Sequence, residues 1–315
     1  MKVSIVVPCY NEEKTVPLFF NEVEKFKGIH EFEYLFIDDG SRDNTLQAIK
    51  ALANDNEYVR FISFSRNFGK EAALYAGLQA STGDLVSVMD VDLQDPPDLL
   101  PEMIETIMQS DIDCVGTRRS TRDGEPPIRS FFAKKFYQLI NKISDTEMVD
   151  GARDFRLMTR QMVDAILELT EYNRFSKGLF SWVGFKTKYI SFENRERVAG
   201  ETSWSFWKLF NYSIDGIVNF SDAPLTIASF VGALSCIGSG LAILFIILRA
   251  LLYGDPTAGW PSMVSIFLFI GGIQLLCLGI IGKYIGKIFL ETKQRPVYII
   301  RETEKINPKN YQSEK

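Results

Sequence analysis

The chain has 315 residues, of which 46% are hydrophobic and 24% charged, and its formal net charge at pH 7 is −5. A nucleic-acid-binding surface needs a basic face, so this acidic balance argues against a nucleic-acid partner. The single histidine, His30, argues against histidine-based triads and zinc sites. The four cysteines lack C-x-x-C spacing and indicate reduced thiols rather than a disulfide framework.

Apolar, β-branched runs alternate with amphipathic stretches through the first 120 residues. This pattern predicts strands at 3–7, 34–37, 59–64, 85–89 and 113–119, with helices at 12–26 and 45–52, a helix that ends near 80, and another at 99–109. A further strand is predicted at 186–192. Asn11 is placed to cap the first helix. Polar clusters follow the strands directly. This arrangement is typical of a doubly wound α/β sheet, in which ligands bind at the carboxyl ends of the strands.

The stretch from Met89 to Pro97 places three carboxylates, Asp90, Asp92 and Asp95, at the end of a buried strand. These groups repel one another unless a cation or a substrate compensates their charge. Carboxylate oxygens suit Mg²⁺ or Mn²⁺, and Mg²⁺ often takes its remaining ligands from substrate phosphates. The alternative is an acidic turn that caps the following helix.

Two common nucleotide-binding motifs are missing from the chain. No G-x-G-x-x-G follows the first strand, and no G-x-x-x-x-G-K-[ST] occurs anywhere. The sequence therefore excludes the usual dinucleotide-cofactor and P-loop sites.

Four polar clusters carry a specific resemblance: VVPCYNEE, IDDGSRDNT, SRNFGKEAAL and MDVDLQDPP, in this order. Together they resemble the nucleotide-sugar-binding half of family 2 (GT-A) glycosyltransferases. With the later segments GARDFRLM and RERVAGETSW and two C-terminal apolar helices, the chain resembles the polyprenyl-phosphate glycosyltransferases, the dolichyl-phosphate mannose synthase and bactoprenol glucosyltransferase group. The likeness covers about residues 1–290.

The resemblance implies a nucleotide-sugar site and a metal site. Asp39 would contact the uracil–ribose half of a UDP-sugar, in a pocket also lined by Pro8, Tyr10 and Glu12. Asp90 and Asp92, with Gln94, would hold Mg²⁺ or Mn²⁺ against the pyrophosphate, where a metal neutralises the charge of the leaving group. Lys70 is either a sugar or phosphate contact or a solvated lysine at a helix start.

The resemblance also implies an acceptor side, where Asp154 occupies the position of the family's general base. This chain has Arg153 before it, where the family more often has a small residue. A phosphate monoester has its second pKa near roughly 6, so its oxygen is largely ionised at neutral pH. Asp154 is therefore either the base or a group that orients the acceptor.

Basic residues provide candidate contacts for the acceptor phosphate. Arg118, Arg119 and Arg129 are candidate clamps, because the planar guanidinium suits phosphate. The resemblance implies that residues 193–204 fold over the phosphates, with Arg195, Arg197 and Ser203 as contacts. Such a lid would exclude water and favour transfer over hydrolysis. The alternative is a plain basic loop next to the membrane.

Two long uncharged runs follow the globular part. Residues 225–248 and 262–282 each exceed the roughly 20 residues that a helix needs to cross a bilayer. They predict a transmembrane hairpin at 223–290, with helices at about 225–250 and 262–286. The surrounding lysines and arginines favour a cytoplasmic location for the globular domain, residues 1–222, and for a polar tail, residues 291–315. The tail is expected to be poorly packed after Gln294.

Amphipathic stretches near 129–143 and 205–220 are predicted as helices at the membrane interface. For the first of them, an ordinary surface helix is an equal alternative. The G-x-x-x-G motif at Gly282–Gly286 predicts close helix packing, within the hairpin or between protomers of a homo-oligomer. The residues before the first strand do not predict a signal peptide.

The resulting functional hypothesis is a metal-dependent, inverting transfer of one hexose from a UDP-sugar to polyprenyl (undecaprenyl) phosphate. The enzyme would act at the cytoplasmic face of the cell (plasma) membrane. Glucose is the favoured sugar and N-acetylglucosamine the second choice. The alternative from another class is a non-catalytic membrane scaffold that binds a nucleotide sugar.

Overall fold

The structure, a computed structural model, describes residues 1–120, 135, 137–144, 146–193, 206–253 and 259–304. Eight strands in this part of the chain form one sheet: β1 (Lys2–Cys9), β2 (Glu31–Asp38), β3 (Val59–Phe64), β4 (Leu85–Val88), β5 (Cys114–Arg119), β6 (Ala152–Thr159), β7 (Thr187–Phe192) and β8 (Ile300–Thr303). The helices are α1 (Thr15–Glu24), α2 (Thr45–Asp55), α3 (Lys70–Ala80), α4 (Leu100–Gln109), α5 (Arg160–Glu168), α6 (Ser176–Trp182), α7 (Phe206–Phe220), α8 (Ala223–Tyr253) and α9 (Trp260–Thr292).

The strands lie in the order β7-β5-β6-β4-β1-β2-β3-β8. β6 runs antiparallel to both of its neighbours and β8 antiparallel to β3, whereas all other pairs are parallel. The sheet is therefore mixed. As a result, the carboxyl ends of β1 to β5 and the amino ends of β6 and β8 meet at one edge.

Helices cover both faces of the sheet, because alternate residues of the central strands point to opposite sides. Val3, Ile5 and Val7 pack with α1, α2 and α4, whereas Val6 and Leu35 pack with α3, α5 and α6. The doubly wound α/β fold that the sequence predicts is confirmed. The sequence reading did not include β6, α5, α6 or β8.

α8 and α9 are long and apolar enough to cross a membrane by length and composition. Their large apolar side chains are exposed, for example Leu241 at 64%, Phe267 at 78% and Leu275 at 72%. Apolar patches of this size are unfavourable in water, so the two helices associate the chain with a membrane. An added Cβ at Gly282 or Gly286 would meet no atom within 4 Å among the described residues. The G-x-x-x-G motif is thus not used to pack this hairpin.

The end of α9 that lies next to the α/β domain is tied to it. Glu291, near the end of α9, accepts hydrogen bonds from the backbone N–H groups of Tyr172 (3.0 Å) and Asn173 (2.9 Å) and from the Asn173 amide (2.8 Å). Asp215 of α7 pairs with Lys283 (3.4 Å) and Lys287 (3.2 Å) of α9. These two lysines therefore serve helix–helix packing.

The expectation of a poorly packed tail after residue 294 is wrong for the residues up to 304. β8 extends the sheet beside β3, with Ser63 opposite Glu302. The ring of Tyr298 stacks on Phe64 at 4.9 Å, and Glu304 pairs with Arg60 at 2.9 Å. The unpaired edge of β3 provides the hydrogen-bonding groups that this short segment needs.

The predicted interfacial stretch at 129–143 falls partly outside the described residues. Its described part, 137–143, is helical. Ile140 is fully buried against Met148 and Phe175, whereas Leu139 is 48% exposed. This part of the helix therefore packs on the α/β domain.

Candidate active site

The residues predicted to bind the donor, the metal and the acceptor lie at one edge of the sheet. The end of β1 and the loop after it carry Pro8, Tyr10 and Glu12, and the loop after β2 carries Asp39. The segment after β3 leads to Lys70, and the turn after β4 carries Asp90, Asp92 and Gln94. β5 ends with Arg118 and Arg119, and β6 carries Asp154 near its start. Each element reaches this edge because of its direction in the sheet. Arg129, Arg195, Arg197 and Ser203 lie outside the described residues.

The loops after β1 and β2 are joined by hydrogen bonds. Asn11 donates its backbone N–H to Ser41 Oγ (3.0 Å) and accepts the Arg42 N–H at its side-chain oxygen (2.9 Å). The backbone N–H of Glu12 donates to Thr45 Oγ1 at 2.7 Å. α1 begins only at Thr15, with Lys14 at the N-cap position, so the predicted capping of α1 by Asn11 is wrong. Asn11 instead has a positive φ of 56°. It shapes the loop beside Tyr10, which is 41% exposed.

Asp39 is buried and connects the second and third loops. Its two carboxylate oxygens accept the backbone N–H groups of Phe68 (2.6 Å) and Gly69 (2.9 Å). Burial raises the pKa of Asp39 to about 6, against the lowering effect of these hydrogen bonds. Gly40 follows with φ +65°, and a Cβ there would lie 2.4 Å from the Arg66 carbonyl carbon, so glycine is required.

The turn after β4 presents two of the predicted metal carboxylates. Asp92 is buried, at 6% exposure, and its Oδ1 accepts the backbone N–H of Gln94 at 3.1 Å. Leu93 between them has φ 57°, an uncommon value for a branched residue that carries a conformational cost. The turn therefore holds the carboxylate in place at the expense of backbone strain.

Lys70 joins the predicted donor side of the site to the predicted acceptor side. Its ammonium lies 2.6 Å from Asp90 Oδ1 and 2.5 Å from Asp154 Oδ2. Val88 pairs with Arg156 in the antiparallel β4–β6 ladder, and the same register continued by two residues brings Asp90 opposite Asp154. Burial lowers the pKa of Lys70, but the two carboxylates outweigh this effect, so the net shift is upward.

Arg153 and Asp95 form a second connection that the sequence reading did not identify as a pair. Arg153 Nε donates to Asp95 Oδ1 at 2.7 Å, and Asp95 is fully buried. Within the described part of the chain, Asp95 Oδ2 has no hydrogen-bond partner. Burial raises the pKa of Asp95 to about 6, even though Arg153 lowers it. The arginine that departs from the family pattern thus compensates the third carboxylate of the Met89–Pro97 stretch.

Asp154 lies among cations. Burial raises its pKa, but Lys70 and then Lys177 and Arg156 oppose this effect, and the net pKa is well below the usual range. Arg156 is buried and stacks on the Phe180 ring at 3.7 Å. A carboxylate in this environment stays ionised and is a weak proton acceptor.

Arg118 and Arg119 lie next to the start of β6. Arg118 pairs with Ala152 in the ladder, and its Nε donates to Ser191 Oγ at 2.9 Å. The backbone N–H of Arg119 donates to the Gly151 carbonyl at 3.1 Å. The sheet therefore places both residues beside residues 151–152, at the start of the strand that carries Asp154.

Comparisons with known proteins identify the family. The model of glycosyl transferase family 2 matches residues 4–167, more than half of the chain. The SfII prophage-derived bactoprenol glucosyl transferase of Shigella flexneri is 43% identical over 310 residues, covering 98% of this chain and 100% of that protein. The bactoprenol glucosyl transferase of Shigella phage SfX is 44% identical over 303 residues, covering 96% of this chain and 99% of that protein.

Solved structures show more distant similarity. Glucosyl-3-phosphoglycerate synthase from Mycobacterium tuberculosis, in complex with Mn²⁺ and UDP-glucose, matches with a TM-score of 0.48 and 19% identity, over 69% of this chain and 77% of that one. The family match and the relatives that align over nearly the whole chain are decisive: the chain belongs to glycosyl transferase family 2 and is a glycosyltransferase.

Proposed function

We propose that this protein transfers a single hexose, glucose in the first place, from a UDP-sugar to polyprenyl phosphate at the cytoplasmic face of the plasma membrane. The observation that carries the proposal is the bridge formed by Lys70. One ammonium contacts Asp90 of the donor-side turn and Asp154 of the acceptor-side strand. The residues proposed for donor and acceptor binding therefore lie close together, in a chain with two apolar helices.

The proposed reaction is a single displacement. An oxygen of the lipid phosphate attacks the anomeric carbon of the sugar and forms a new carbon–oxygen bond. The bond between that carbon and the β-phosphate oxygen breaks, and its electron pair leaves with UDP. Because attack and departure take place on opposite faces, an α-linked donor gives a β-linked product.

Asp90, Asp92 and Gln94 fit a divalent cation of the Mg²⁺ or Mn²⁺ type. They offer oxygen ligands at the end of a parallel strand. In the described residues no group of three His, Cys, Asp or Glu side chains forms a complete metal site. Mg²⁺ often uses only one or two protein carboxylates and takes further ligands from substrate phosphates. A bound ion would neutralise charge on the departing diphosphate.

Asp39 and the loop residues around it would bind the nucleoside. Pro8, Tyr10 and Glu12 lie in the neighbouring loop, which hydrogen bonds hold against the Asp39 loop. Both oxygens of Asp39 already accept backbone N–H groups, but a carboxylate has further lone pairs for a ribose hydroxyl or a base N–H.

Asp154 would orient the acceptor and stabilise Lys70 rather than remove a proton. Its low pKa makes it a weak base, and a phosphate monoester with a second pKa of roughly 6 is already largely ionised. Arg118 and Arg119 would hold the acceptor phosphate, and Arg129, Arg195, Arg197 and Ser203 are proposed to complete that site.

We also propose the arrangement in the membrane. Residues 1–222 form the cytoplasmic catalytic domain and 223–290 the hairpin, because lysines and arginines concentrate on the side that carries the domain. The segment after the hairpin returns to the same domain through β8, which supports a common side for both.

A transfer assay with purified protein tests the proposed function. The mixture contains undecaprenyl phosphate, Mg²⁺ or Mn²⁺ and one radiolabelled donor, either UDP-glucose, UDP-N-acetylglucosamine or UDP-galactose. We expect label from UDP-glucose in the organic phase, and its loss on addition of EDTA. Lipid-linked label from UDP-N-acetylglucosamine alone would show that the transferred sugar is N-acetylglucosamine and not glucose. UDP binding without transfer from any donor would favour the scaffold.

A further inference from the structure

α6 begins next to the acceptor side of the site and carries a lysine, Lys177, in its first turn. The Lys177 ammonium lies 3.5 Å from the carbonyl oxygen of Ala152, two residues before Asp154 on β6. Lys177 is partly exposed. Among the described residues it forms no ion pair within 4 Å, although its charge acts on the Asp154 carboxylate.

Three other cations beside Asp154, namely Lys70, Arg156 and Arg153, are already engaged. Lys70 pairs with two carboxylates. Arg156 is 3% exposed, donates to the Arg153 carbonyl at 3.0 Å and stacks on Phe180. Arg153 pairs with Asp95. Of these four cationic side chains, Lys177 alone is both partly exposed and without an ion pair within 4 Å to a carboxylate in the described part of the chain.

Two fixed neighbours hold Lys177 in place. Glu71 accepts the Ser176 backbone N–H at 2.9 Å and also the Ser176 hydroxyl, which attaches the start of α6 to α3. On the other side, Gly178 packs directly on Phe220 of α7, where a Cβ would lie 2.3 Å from the ring. Lys177 is therefore set by the same two elements that carry Lys70 and lead to the membrane.

We propose that Lys177 is a binding residue for the phosphate of the acceptor, and this inference rests on the proposed function. The acceptor phosphate brings roughly −1.5 to −2 charges next to the Asp154 carboxylate at neutral pH. The negative phosphate and the negative carboxylate repel each other unless a cation lies between or beside them. Lys177 provides that cation without disturbing the Lys70 bridge.

The test compares Lys177→Gln and Lys177→Arg with the wild-type protein in the full chain. We measure the KM for undecaprenyl phosphate, kcat, and the Kd for UDP-glucose with Mg²⁺. Loss of a charge-assisted contact should raise the acceptor KM of Lys177→Gln by about tenfold or more and leave the donor Kd within about twofold. Lys177→Arg should recover most of the acceptor affinity.

Lys188→Gln is the matched control, because Lys188 is an exposed lysine of the edge strand β7 and loses the same charge. An unchanged acceptor KM in Lys177→Gln, or an equal loss in the control, would overturn the inference while wild-type transfer still supports the proposed function. If Lys177→Gln also lowers the donor affinity and the Tm, Lys177 has a structural role, and this result would overturn the inference too. If the wild type transfers sugar to no polyprenyl phosphate, both proposals fail.

Discussion

Lys70 and the carboxylates around it determine the chemistry of the site at the scale of single residues. Two carboxylates on strands that face each other would repel, and one ammonium between them removes that cost. Arg153 does the same for Asp95. These two cations hold the predicted carboxylates close together, as a site for a divalent cation and two phosphate-containing ligands requires.

Replacement of Asp92 tests the proposed metal site. Asp92→Ala should abolish metal-dependent transfer, because the buried carboxylate is one of two proposed acidic ligands. The transfer assay with Mg²⁺ and a Tm measurement check activity and folding together. Asp55→Ala, at the exposed end of α2, is the control and should keep full activity. Wild-type activity in Asp92→Ala would rule out this metal ligand.

The pH dependence of transfer tests the role of Asp154. Its pKa is held well below the usual range, so it stays ionised over the assay range. The acceptor phosphate loses its second proton near pH ~6, and kcat/KM for the acceptor should therefore rise between pH ~5 and ~7. Asp154→Asn should lower the rate and keep this rise. A rise that disappears in Asp154→Asn would instead identify Asp154 as the base.

At the scale of elements, the two antiparallel strands distinguish this sheet from a purely parallel one. β6 brings Asp154 to the edge of the sheet where the loops after the parallel strands lie. β8 pairs with β3 and forms the last strand on that side of the sheet. At the opposite end of the strands, Glu33 of β2 links Ser4 of β1 (2.7 Å) to Arg60 of β3 (2.8 Å). This buried network ties three central strands together.

The Glu33 network predicts a pH-dependent stability. Burial alone raises the pKa of Glu33, but hydrogen bonds from Ser4, Arg60 and Thr82 lower it from 4.5 to about 2. A depressed pKa stabilises the fold above pH 4.5 and loses this effect as the pH falls towards 2. The shift corresponds to about 3 kcal/mol.

Glu33→Gln should therefore unfold at a lower temperature than the wild type at pH 7, and the difference should shrink below pH ~4. Tm values from intrinsic fluorescence in detergent at both pH values provide the measurement. Glu31→Gln, an exposed residue of the same strand, should leave Tm unchanged. Equal Tm values for Glu33→Gln and the wild type at pH 7 would show that the network does not stabilise the fold.

The elements that the sequence predicts are those with strong local patterns. β3 begins and ends where predicted, and Asp43 holds the first turn of α2 by accepting the Thr45 N–H at 3.0 Å. β6 was missed because its first residues, Ala152 to Asp154, are polar or small and depend on pairing with β4 and β5. β8 is four residues long and needs the edge of β3, which lies more than 230 residues earlier.

In the candidate site too, local patterns predict some residues, whereas others depend on contacts between distant parts of the chain. The loops that carry Asp39, Asp90 and Asp92 could be located from the sequence, because polar clusters after strands predict a common edge. The Lys70 bridge and the Arg153–Asp95 pair could not, because both depend on the register of β6 beside β4. Lys177 could not be found either, since a contact between α3 and α6 brings it to the site.

At the scale of the whole molecule, hydrogen bonds and ion pairs of α9 connect the apolar hairpin to the catalytic domain. Glu291 holds the turn at residues 172–173, and Asp215 holds Lys283 and Lys287. Tyr284 of α9 donates to the Ser221 carbonyl at 2.6 Å. The turn at 172–173 leads directly into α6, so the position of α9 and the position of Lys177 depend on each other. A lipid-linked acceptor would need this alignment, because its phosphate reaches the site from the membrane surface.

Replacement of Glu291 tests this alignment. Glu291→Ala removes three hydrogen-bond contacts from an exposed position, where the loss of each amounts to about 1 kcal/mol or less. The fold should persist, with UDP-glucose binding unchanged, while kcat/KM for undecaprenyl phosphate in vesicles falls by about tenfold, since a domain that tilts on the hairpin misplaces α6. A short, water-soluble prenyl phosphate should be affected less, because it does not depend on the membrane anchor. Thr292→Ala, at the next position with a hydrogen bond only within α9, is the control. Equal losses for the long and the short acceptor would mean that Glu291 acts on the site itself and not on its alignment with the membrane.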